Sequence, residues 1–268
     1  MHLRSIALDP IPADLNRQFP FSVSVVRTFE KLELQSPITF LVGENGSGKS
    51  TILEGLACAI DLPAVGGEPL QRDRTLDGVR PLADYFRLVW TKRTKRGFFL
   101  RAEDFFGFAK RIQQLEAEMQ AELRRVEEEY RDRSERARGF ARMPFARELA
   151  DLKRLYGDGL DTVSHGEGFL HLFQNRFVPN GLYLLDEPEA PLSPIRQIGF
   201  LSLLREMVEQ HNAQFIIATH SPILMAFPGA TILSFDAHPV KPIAYDELEH
   251  VTLTRDFLND PETFLRYL

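Results

Sequence analysis

The chain has 268 residues, of which 44% are hydrophobic and 26% are charged, and its formal net charge is −6. This balance is typical of a globular protein, and the negative charge excludes a generally basic nucleic-acid binder while allowing a local basic patch. The single cysteine, Cys58, excludes an internal disulfide and a multi-cysteine zinc site, and we expect it to pack as a small apolar residue. No apolar run approaches the ~18 residues that a membrane span needs. We therefore expect a cytoplasmic protein with no direct membrane insertion.

Short apolar runs alternate with helical patterns, which predicts an α/β fold. The first predicted strands are LRSIAL, VSVVRTF and ITFLVG, and a helix is predicted from Lys49 to about Ile60. Residues 61–82 are rich in Pro, Gly and Asp and are predicted as loop. FRLVW and GFFLRAE are predicted as a strand pair joined by the charged turn TKRTKR.

Residues 109–155 have a different pattern. Apolar residues from Ile112 to Tyr130 recur in steps of three and four, which predicts one amphipathic helix. RGFARMP interrupts the pattern, and a second helix is predicted over FARELADLKRLY. We predict one domain, 1–268, with a helical hairpin inserted at approximately 105–160. This hairpin either carries a partner or covers the core.

The α/β alternation resumes after Ser164. GLYLLDEP, AQFIIATHS and TILSF are predicted strands, and a helix from about Ser193 to His211 separates the first two. The tail TRDFLNDPETFLRYL is predicted to be helical with a break at Pro261.

The segment GENGSGKST fits the G-x-x-x-x-G-K-[ST] phosphate loop and lies between a predicted strand and a predicted helix. Its glycines let backbone N–H groups converge on phosphate oxygens, and the helix presents its positive end to them. Lys49 is expected to reach the β- and γ-phosphates, and Ser50 to bind Mg²⁺. The predicted phosphate-binding residues are Gly43, Glu44, Asn45, Gly46, Ser47, Gly48, Lys49, Ser50 and Thr51.

Two further predicted strands end in polar residues. Asp186 ends one of these strands, a position from which its carboxylate can bind Mg²⁺. Glu187 comes next, a position suited to a carboxylate that activates the attacking water. His220 follows the other strand, at the edge of a parallel sheet where ligands bind.

The ordered set GENGSGKST, SHGEG, YLLDEPEAPLSP and ATHS resembles the ATP-binding cassette (ABC) ATPases over nearly the whole chain. It looks most like their soluble predicted-ATPase group, related to recombination-protein-F and chromosome-maintenance (SMC-like) AAA family ATPases. The resemblance implies a P-loop NTPase fold of the ABC type, ATP and Mg²⁺ as cofactors, and an ATP-dependent homodimer. It also implies catalytic roles for Lys49, Glu187 and His220, with Asp186 serving magnesium.

In that family a serine-led signature at the start of a later helix completes the nucleotide site of the opposite subunit. Carried onto this chain, Ser164, Gly166 and Glu167 would act in trans, and Pro191-Leu192-Ser193 falls at the dimer-contact loop. The chain departs from the usual signature, with His165 in place of a glycine and Glu167 in place of an amide. From the residues alone, Ser164 is either this contact or only the N-cap of its own helix.

Other positions keep two interpretations. Glu103 is the candidate for the residue that links magnesium to the insertion. Phe19 and Phe21 are expected to pack in the core rather than to stack on adenine. The cations of TKRTKR are either a solvated turn or a DNA contact; they are Lys92, Arg93, Lys95 and Arg96.

The predicted function is Mg²⁺-dependent ATP hydrolysis that drives dimerisation, in a switch for DNA repair or for a defence complex with a separate effector protein. The alternative is the ATP-binding subunit of a membrane transporter, with the insertion docking on a membrane partner. A binding module that does not hydrolyse ATP is disfavoured by the intact Glu187.

Overall fold

The computed structural model describes residues 1–65, 70–156 and 165–266 of the chain. The strands are β1 (Leu3–Leu8), β2 (Leu32–Glu33), β3 (Ile38–Val42), β4 (Phe86–Trp90), β5 (Gly97–Arg101), β6 (Leu182–Asp186), β7 (Gln214–Ala218), β8 (Thr231–Ser234) and β9 (Lys241–Pro242). The α-helices are α1 (Ser24–Arg27), α2 (Lys49–Ile60), α3 (Ala102–Glu129), α4 (Glu135–Tyr156), α5 (His165–Arg176), α6 (Pro194–His211), α7 (Pro222–Met225), α8 (Glu249–Asn259) and α9 (Pro261–Leu265).

A six-stranded sheet with the order β5-β6-β7-β3-β8-β9 forms the centre of the fold. Its first five strands are parallel, and only β9 is antiparallel to its neighbour. A smaller antiparallel sheet has the order β2-β1-β4. This α/β arrangement confirms the predicted fold class.

Both faces of the central sheet are covered, which explains its continuous apolar strands. One face packs against the small sheet and α2, and the other packs against α5, α6 and α8. Every residue of β3, β6 and β7 is buried. Polar residues are therefore concentrated just beyond the strand ends, and the carboxyl ends of the parallel strands lie at one edge of the sheet.

The two strands on either side of TKRTKR do not pair with each other, so the predicted hairpin is wrong. β4 pairs with β1 in the small sheet, whereas β5 pairs with β6 in the central sheet. The burial patterns show the physical reason. Exposure alternates with partial burial along β4, as in a sheet with one covered face, whereas β5 is buried from Phe98 to Arg101.

The predicted strand VSVVRTF is also wrong, because this segment contains the short helix α1. The adjacent residues Val25 and Val26 are both buried in the core beneath the phosphate loop. A strand would direct them to opposite faces, whereas a helical turn lets both pack inward. The predicted loop, 61–82, holds 3-10 turns at Arg74–Leu76 and Arg80–Tyr85, and its residues 66–69 lie outside the described part.

Helices α3 and α4 pack against each other as a hairpin, and Arg142 bridges to Glu127 across them at 2.7 Å. The predicted interruption at RGFARMP is wrong, because α4 continues through Pro144. Pro144 is exposed, so its ring lies away from the helix contact and tertiary packing maintains the helix. The break in the tail is confirmed, since α8 ends before Asp260, whose carboxylate caps α9.

Gly97 is the first residue of β5, and only a glycine fits at this position. Its φ is +118°, and a Cβ atom there would overlap the carbonyl oxygen of Leu182 in the neighbouring strand. We expect Gly97→Ala to lower the free energy of unfolding by about 3 kcal/mol or more. The matched control is Gly139→Ala on α4, where a Cβ meets nothing within 4 Å and is expected to be neutral or slightly stabilising. Urea denaturation followed by circular dichroism measures both, and equal stabilities for the two variants would contradict this assignment.

Candidate functional site

The phosphate loop connects the end of β3 to the start of α2, as its sequence predicts. Gly43, Gly46 and Gly48 all have positive φ values, of 148°, 84° and 94°. At Gly48 a Cβ atom would lie 2.5 Å from the Val25 side chain, so the segment beneath the loop also requires glycine there. The loop therefore has the backbone geometry that turns N–H groups toward an anion.

Lys49 holds the loop closed. Its ammonium donates to the carbonyl oxygens of Gly43 at 2.7 Å and Glu44 at 2.9 Å. The side chain is buried, and this burial lowers the pKa of Lys49, while nearby carboxylates, Asp186 first, act in the opposite direction. A bound phosphate would give this ammonium the anionic partner that compensates its burial.

Asp186 ends β6 and lies in register between Arg101 of β5 and Ala218 of β7. It is 8% exposed, and burial raises the pKa of Asp186 to about 6 despite a hydrogen bond from Ser50. Its Oδ1 atom is buried and has no hydrogen-bond partner among the described residues. An unpaired buried oxygen beside a hydroxyl fits Mg²⁺, which takes few protein ligands and keeps phosphate and water oxygens.

Glu187 and His220 face each other beside this carboxylate. The strand ends at Asp186, and Glu187 adopts φ 49° while its N–H donates to the carbonyl of Ala218 at 2.9 Å. The Glu187 Oε1 and His220 Nε2 atoms are 3.9 Å apart, too far for a hydrogen bond but close enough for one group or water to contact both. Burial, followed by the charge of Lys49, lowers the pKa of His220, which favours the neutral imidazole.

Glu189, which positions His220, was not predicted from the sequence. The backbone N–H of His220 donates to Glu189 Oε1 at 2.8 Å, and burial raises the pKa of Glu189. Asp236 was also missed. It follows β8 at the same sheet edge, and its Oδ1 accepts the N–H of Glu44 at 2.8 Å. The rule that polar residues after parallel strands converge was the signal available for Asp236.

Arg101 is the third missed residue and the centre of a buried ionic cluster. Its guanidinium contacts Asp73 and Asp104 at 2.8 Å and Glu54 at 3.5 Å. Burial raises the pKa of Glu54 to about 7, with Arg101 opposing the shift. Glu54 and Arg101 of this cluster line a cavity of about 300 Å³ that the Mg²⁺ candidates also line. The full lining includes Ser50, Glu54, Arg101, Glu103, Asp186 and Glu187. Glu103 is 73% exposed and 3.4 Å from Arg101, so the carboxylate of this candidate is largely in solvent.

The two upstream aromatic residues have different environments. Phe21 is buried against Tyr85, as expected for core packing. Phe19 is 57% exposed, so the expectation of core packing is wrong for it. It shares a cavity of about 270 Å³ with the phosphate loop and Glu187, where its ring is available to a planar ligand.

The structure describes some, but not all, of the remaining predicted site residues. Ser164 lies outside the described residues, whereas Gly166 and Glu167 belong to the first turn of α5. Ser193 is the N-cap residue of α6 and follows the buried Leu192. The cations Lys92, Arg93, Lys95 and Arg96 are all exposed on the connection between the two sheets.

None of the described helices combines the length and the apolar character needed to cross a membrane. Within the same residues, no set of three or more histidine, cysteine or acidic side chains is placed to hold a metal ion.

Comparison with known proteins gives matches to ATP-binding proteins. The family model described as AAA domain matches residues 18–62. The cobalt import ATP-binding protein CbiO of Salmonella typhimurium is 27% identical over 238 residues, which cover 83% of this chain and 79% of that protein. CbiO of Salmonella paratyphi A is 29% identical over 192 residues, covering 69% of this chain and 62% of the relative.

Solved structures that the comparison matches to this chain include the SMC head domain from Thermotoga maritima, with 14% identity and a TM-score of 0.45. That match covers 91% of this chain and all of the other. The cbiO1 structure from Clostridium perfringens, part of the ABC transporter complex cbiONQ, has 14% identity and a TM-score of 0.45, with both chains fully covered.

The raised pKa of Asp186 makes stability depend on pH. The ordinary value of this carboxyl is 3.8 and its folded value is about 6, so the folded chain holds a proton that the unfolded chain loses in that interval. The free energy of unfolding therefore falls as pH rises from 4 through 6. We expect Asp186→Asn to stabilise the nucleotide-free protein by on the order of 2 kcal/mol at pH 8 and by little at pH 4. Urea denaturation at the two pH values tests this, and equal effects at both would contradict it.

Proposed function

We propose that this chain is an ABC- and SMC-like P-loop ATPase, that it hydrolyses Mg-ATP at the carboxyl edge of its central sheet, and that it uses the nucleotide to control its own dimerisation. The observation that carries the proposal is the convergence of the phosphate loop, Asp186, Glu187 and His220 at this edge. These are the groups needed to hold a triphosphate, a magnesium ion and an attacking water.

Within this proposal, the phosphate loop and Lys49 bind the phosphate oxygens. Ser50 and Asp186 hold Mg²⁺, which when bound neutralises charge on the β- and γ-phosphates. Glu187 orients the attacking water, because its carboxylate is partly exposed and lies next to the phosphate cavity. His220 contacts the terminal phosphate, and Glu189 holds its backbone in place. Catalysis then consists of positioning and electrostatic stabilisation.

Dimerisation is supported by the openness of this site. The side chains of Glu187 and His220 remain 47% and 37% exposed, so the described residues of one chain leave this side of the site partly uncovered. A second copy would cover this side with Ser164, Gly166 and Glu167 at the start of its α5, where helix N–H groups attract an anion. Loss of the γ-phosphate on hydrolysis would remove the shared contact and release the pair.

We further propose that nucleic acid is the cargo of this switch, in DNA repair or in a defence complex with a separate effector protein. The supporting observation is one face of α4, where Arg136, Phe140, Met143 and Arg147 follow helical spacing and are all exposed. Residues 130–147 contain six arginines and two acidic residues, although the whole chain is acidic. Among the described residues only Arg142 of these six forms an ion pair.

Arginines interleaved with an exposed aromatic ring suit a nucleic-acid strand, because guanidinium groups bind phosphates and the ring stacks on a base. The Arg136 guanidinium lies 5.9 Å from the Phe140 ring centroid, so the two groups form one patch. A helix that inserts into a membrane surface would instead separate its apolar and basic residues onto different faces. The exposed turn Lys92–Arg96 offers further phosphate contacts, at the opposite edge of the sheet from the nucleotide.

The second candidate function is that of the ATP-binding subunit of a membrane transporter. It is favoured by the relatives named as cobalt import ATP-binding proteins. In that case the α3–α4 hairpin would dock on a membrane partner instead of nucleic acid.

The Glu187→Gln variant tests the switch, because it retains the shape of the site and removes the group that activates water. We expect this variant to have twice the monomer mass with Mg-ATP and the monomer mass with Mg-ADP, measured by light scattering after gel filtration. Adding Ser164→Arg should abolish the dimer, whereas the control Ser134→Arg, in the turn between α3 and α4, should not. A monomer with both nucleotides would contradict the dimer.

The arginine face is tested by Arg136→Gln combined with Arg147→Gln. We expect about tenfold weaker binding of a labelled single-stranded oligonucleotide and a shallower dependence on salt, because two phosphate contacts are lost. The control variant is Arg125→Gln with Arg154→Gln, whose arginines pair with Glu129 and Asp151. Fluorescence anisotropy at two salt concentrations measures the affinities. Equal losses in both double variants, or binding to anionic vesicles alone, would contradict the nucleic-acid assignment.

A further inference from the structure

The C-terminal helix α8 reaches the nucleotide site. A cavity of about 360 Å³ is lined on one side by the start of the phosphate loop and on the other by α8. Its lining includes Gly43, Glu44, His220, Asp236, Glu249, His250 and Leu253. The carbonyl oxygens of Gly43 and Glu44 are the ones that hold the Lys49 ammonium, so this cavity adjoins the position of the phosphate that Lys49 would bind.

Two imidazole nitrogens near this cavity lack partners. The Nε2 atoms of His220 and His250 are both shielded from solvent and have no hydrogen-bond partner among the described residues. A buried imidazole nitrogen without a partner costs free energy, and two such atoms beside one cavity indicate a shared ligand that supplies the missing hydrogen bonds.

Charges of both signs surround His250: Lys49 lies on the side of the phosphate loop, and the cavity is also lined by the carboxylates of Glu44, Asp236, Glu247 and Glu249. Burial and the Lys49 charge lower the pKa of His250, while Asp236 and Glu249 raise it. His220 has a similar environment, with Lys49 and His250 lowering its pKa and Glu187 and Asp236 raising it. The charge of Lys49 thus acts on both imidazole rings. A phosphate bound to Lys49 would be subject to the same surrounding charges.

We propose that His250 joins His220 as a second imidazole contact to the terminal phosphate of ATP, so that α8 responds to ATP and not to ADP. This inference rests on the proposed function of the site. A contact between the Nε2–H of His250 and the γ-phosphate would exist only before hydrolysis. The exposed apolar residues of α8, Leu253, Phe257 and Leu258, would then move with the nucleotide state.

The test compares affinities for ATP and ADP, because a merely structural role of His250 would weaken both. All proteins carry Glu187→Gln to prevent turnover. His250→Ala is expected to weaken Mg-ATP binding about tenfold, the effect of one hydrogen bond to a charged group, and to leave Mg-ADP binding unchanged. His250→Gln, which retains an N–H donor, should recover part of the loss. The control is His211→Ala, at the C-terminal end of α6 on the far edge of the sheet. Isothermal titration calorimetry measures the affinities.

Amide hydrogen exchange of α8 gives a second measurement. It uses the protein with His250 unchanged, so it does not require that a His250 variant folds. We expect slower exchange with Mg-ATP than with Mg-ADP. Equal exchange with the two nucleotides, or equal weakening of ATP and ADP binding by His250→Ala, would overturn the role of His250. The proposed function of the site would not be affected by that outcome. Failure of the protein to bind either nucleotide would overturn the proposed function and this inference with it.

Discussion

The burial of both faces of the central sheet is the constraint on which the site depends. β3, β6 and β7 have no exposed residue, so each can place a charged group only at its end. Because the strands are parallel, these ends lie at one edge, and the groups that follow them meet there. Lys49, Asp186 and His220 come from three separate parts of the sequence, yet no long side chain has to cross the core to bring them together.

The electrostatics of this edge point to a ligand that supplies both an anion and a cation. Burial raises the pKa of Asp186 to about 6 and that of Glu54 to about 7, which shows that the nearby Lys49 and Arg101 do not fully compensate the acidic groups. Lys49 in turn is buried against neutral carbonyl oxygens. A magnesium nucleotide would resolve both imbalances at once, since its phosphates meet the lysine and its metal meets the carboxylate. Neither half of the ligand would do so alone.

Sequence patterns predicted the central sheet well because parallel strands covered on both faces have continuous apolar runs. They failed where local pattern and tertiary pairing differ. FRLVW and GFFLRAE are adjacent strands by pattern, yet they belong to different sheets, and only the long-range pairing of β5 with β6 decides this. The phosphate loop, Asp186 and His220 carry motifs and could be identified. Arg101 and His250 carry none, and their positions depend on packing between distant segments. Gly166 and Glu167 were predicted only through resemblance.

Helices α3 and α8, which are both appended to the sheet, begin beside the candidate nucleotide site. Helix α3 starts directly after Arg101, the residue of β5 that lies in register with Asp186. The Arg101 guanidinium binds Asp104 in the first turn of α3. Helix α8 begins with Glu249 and His250 at the phosphate-loop cavity. A change in charge at the site would therefore act first on the base of the hairpin and on the tail, through the ion pairs of Arg101 and the imidazole of His250. Close-packed cores move as rigid units, so such contacts at their edge are the physical route by which nucleotide state would reach the exposed face of α4.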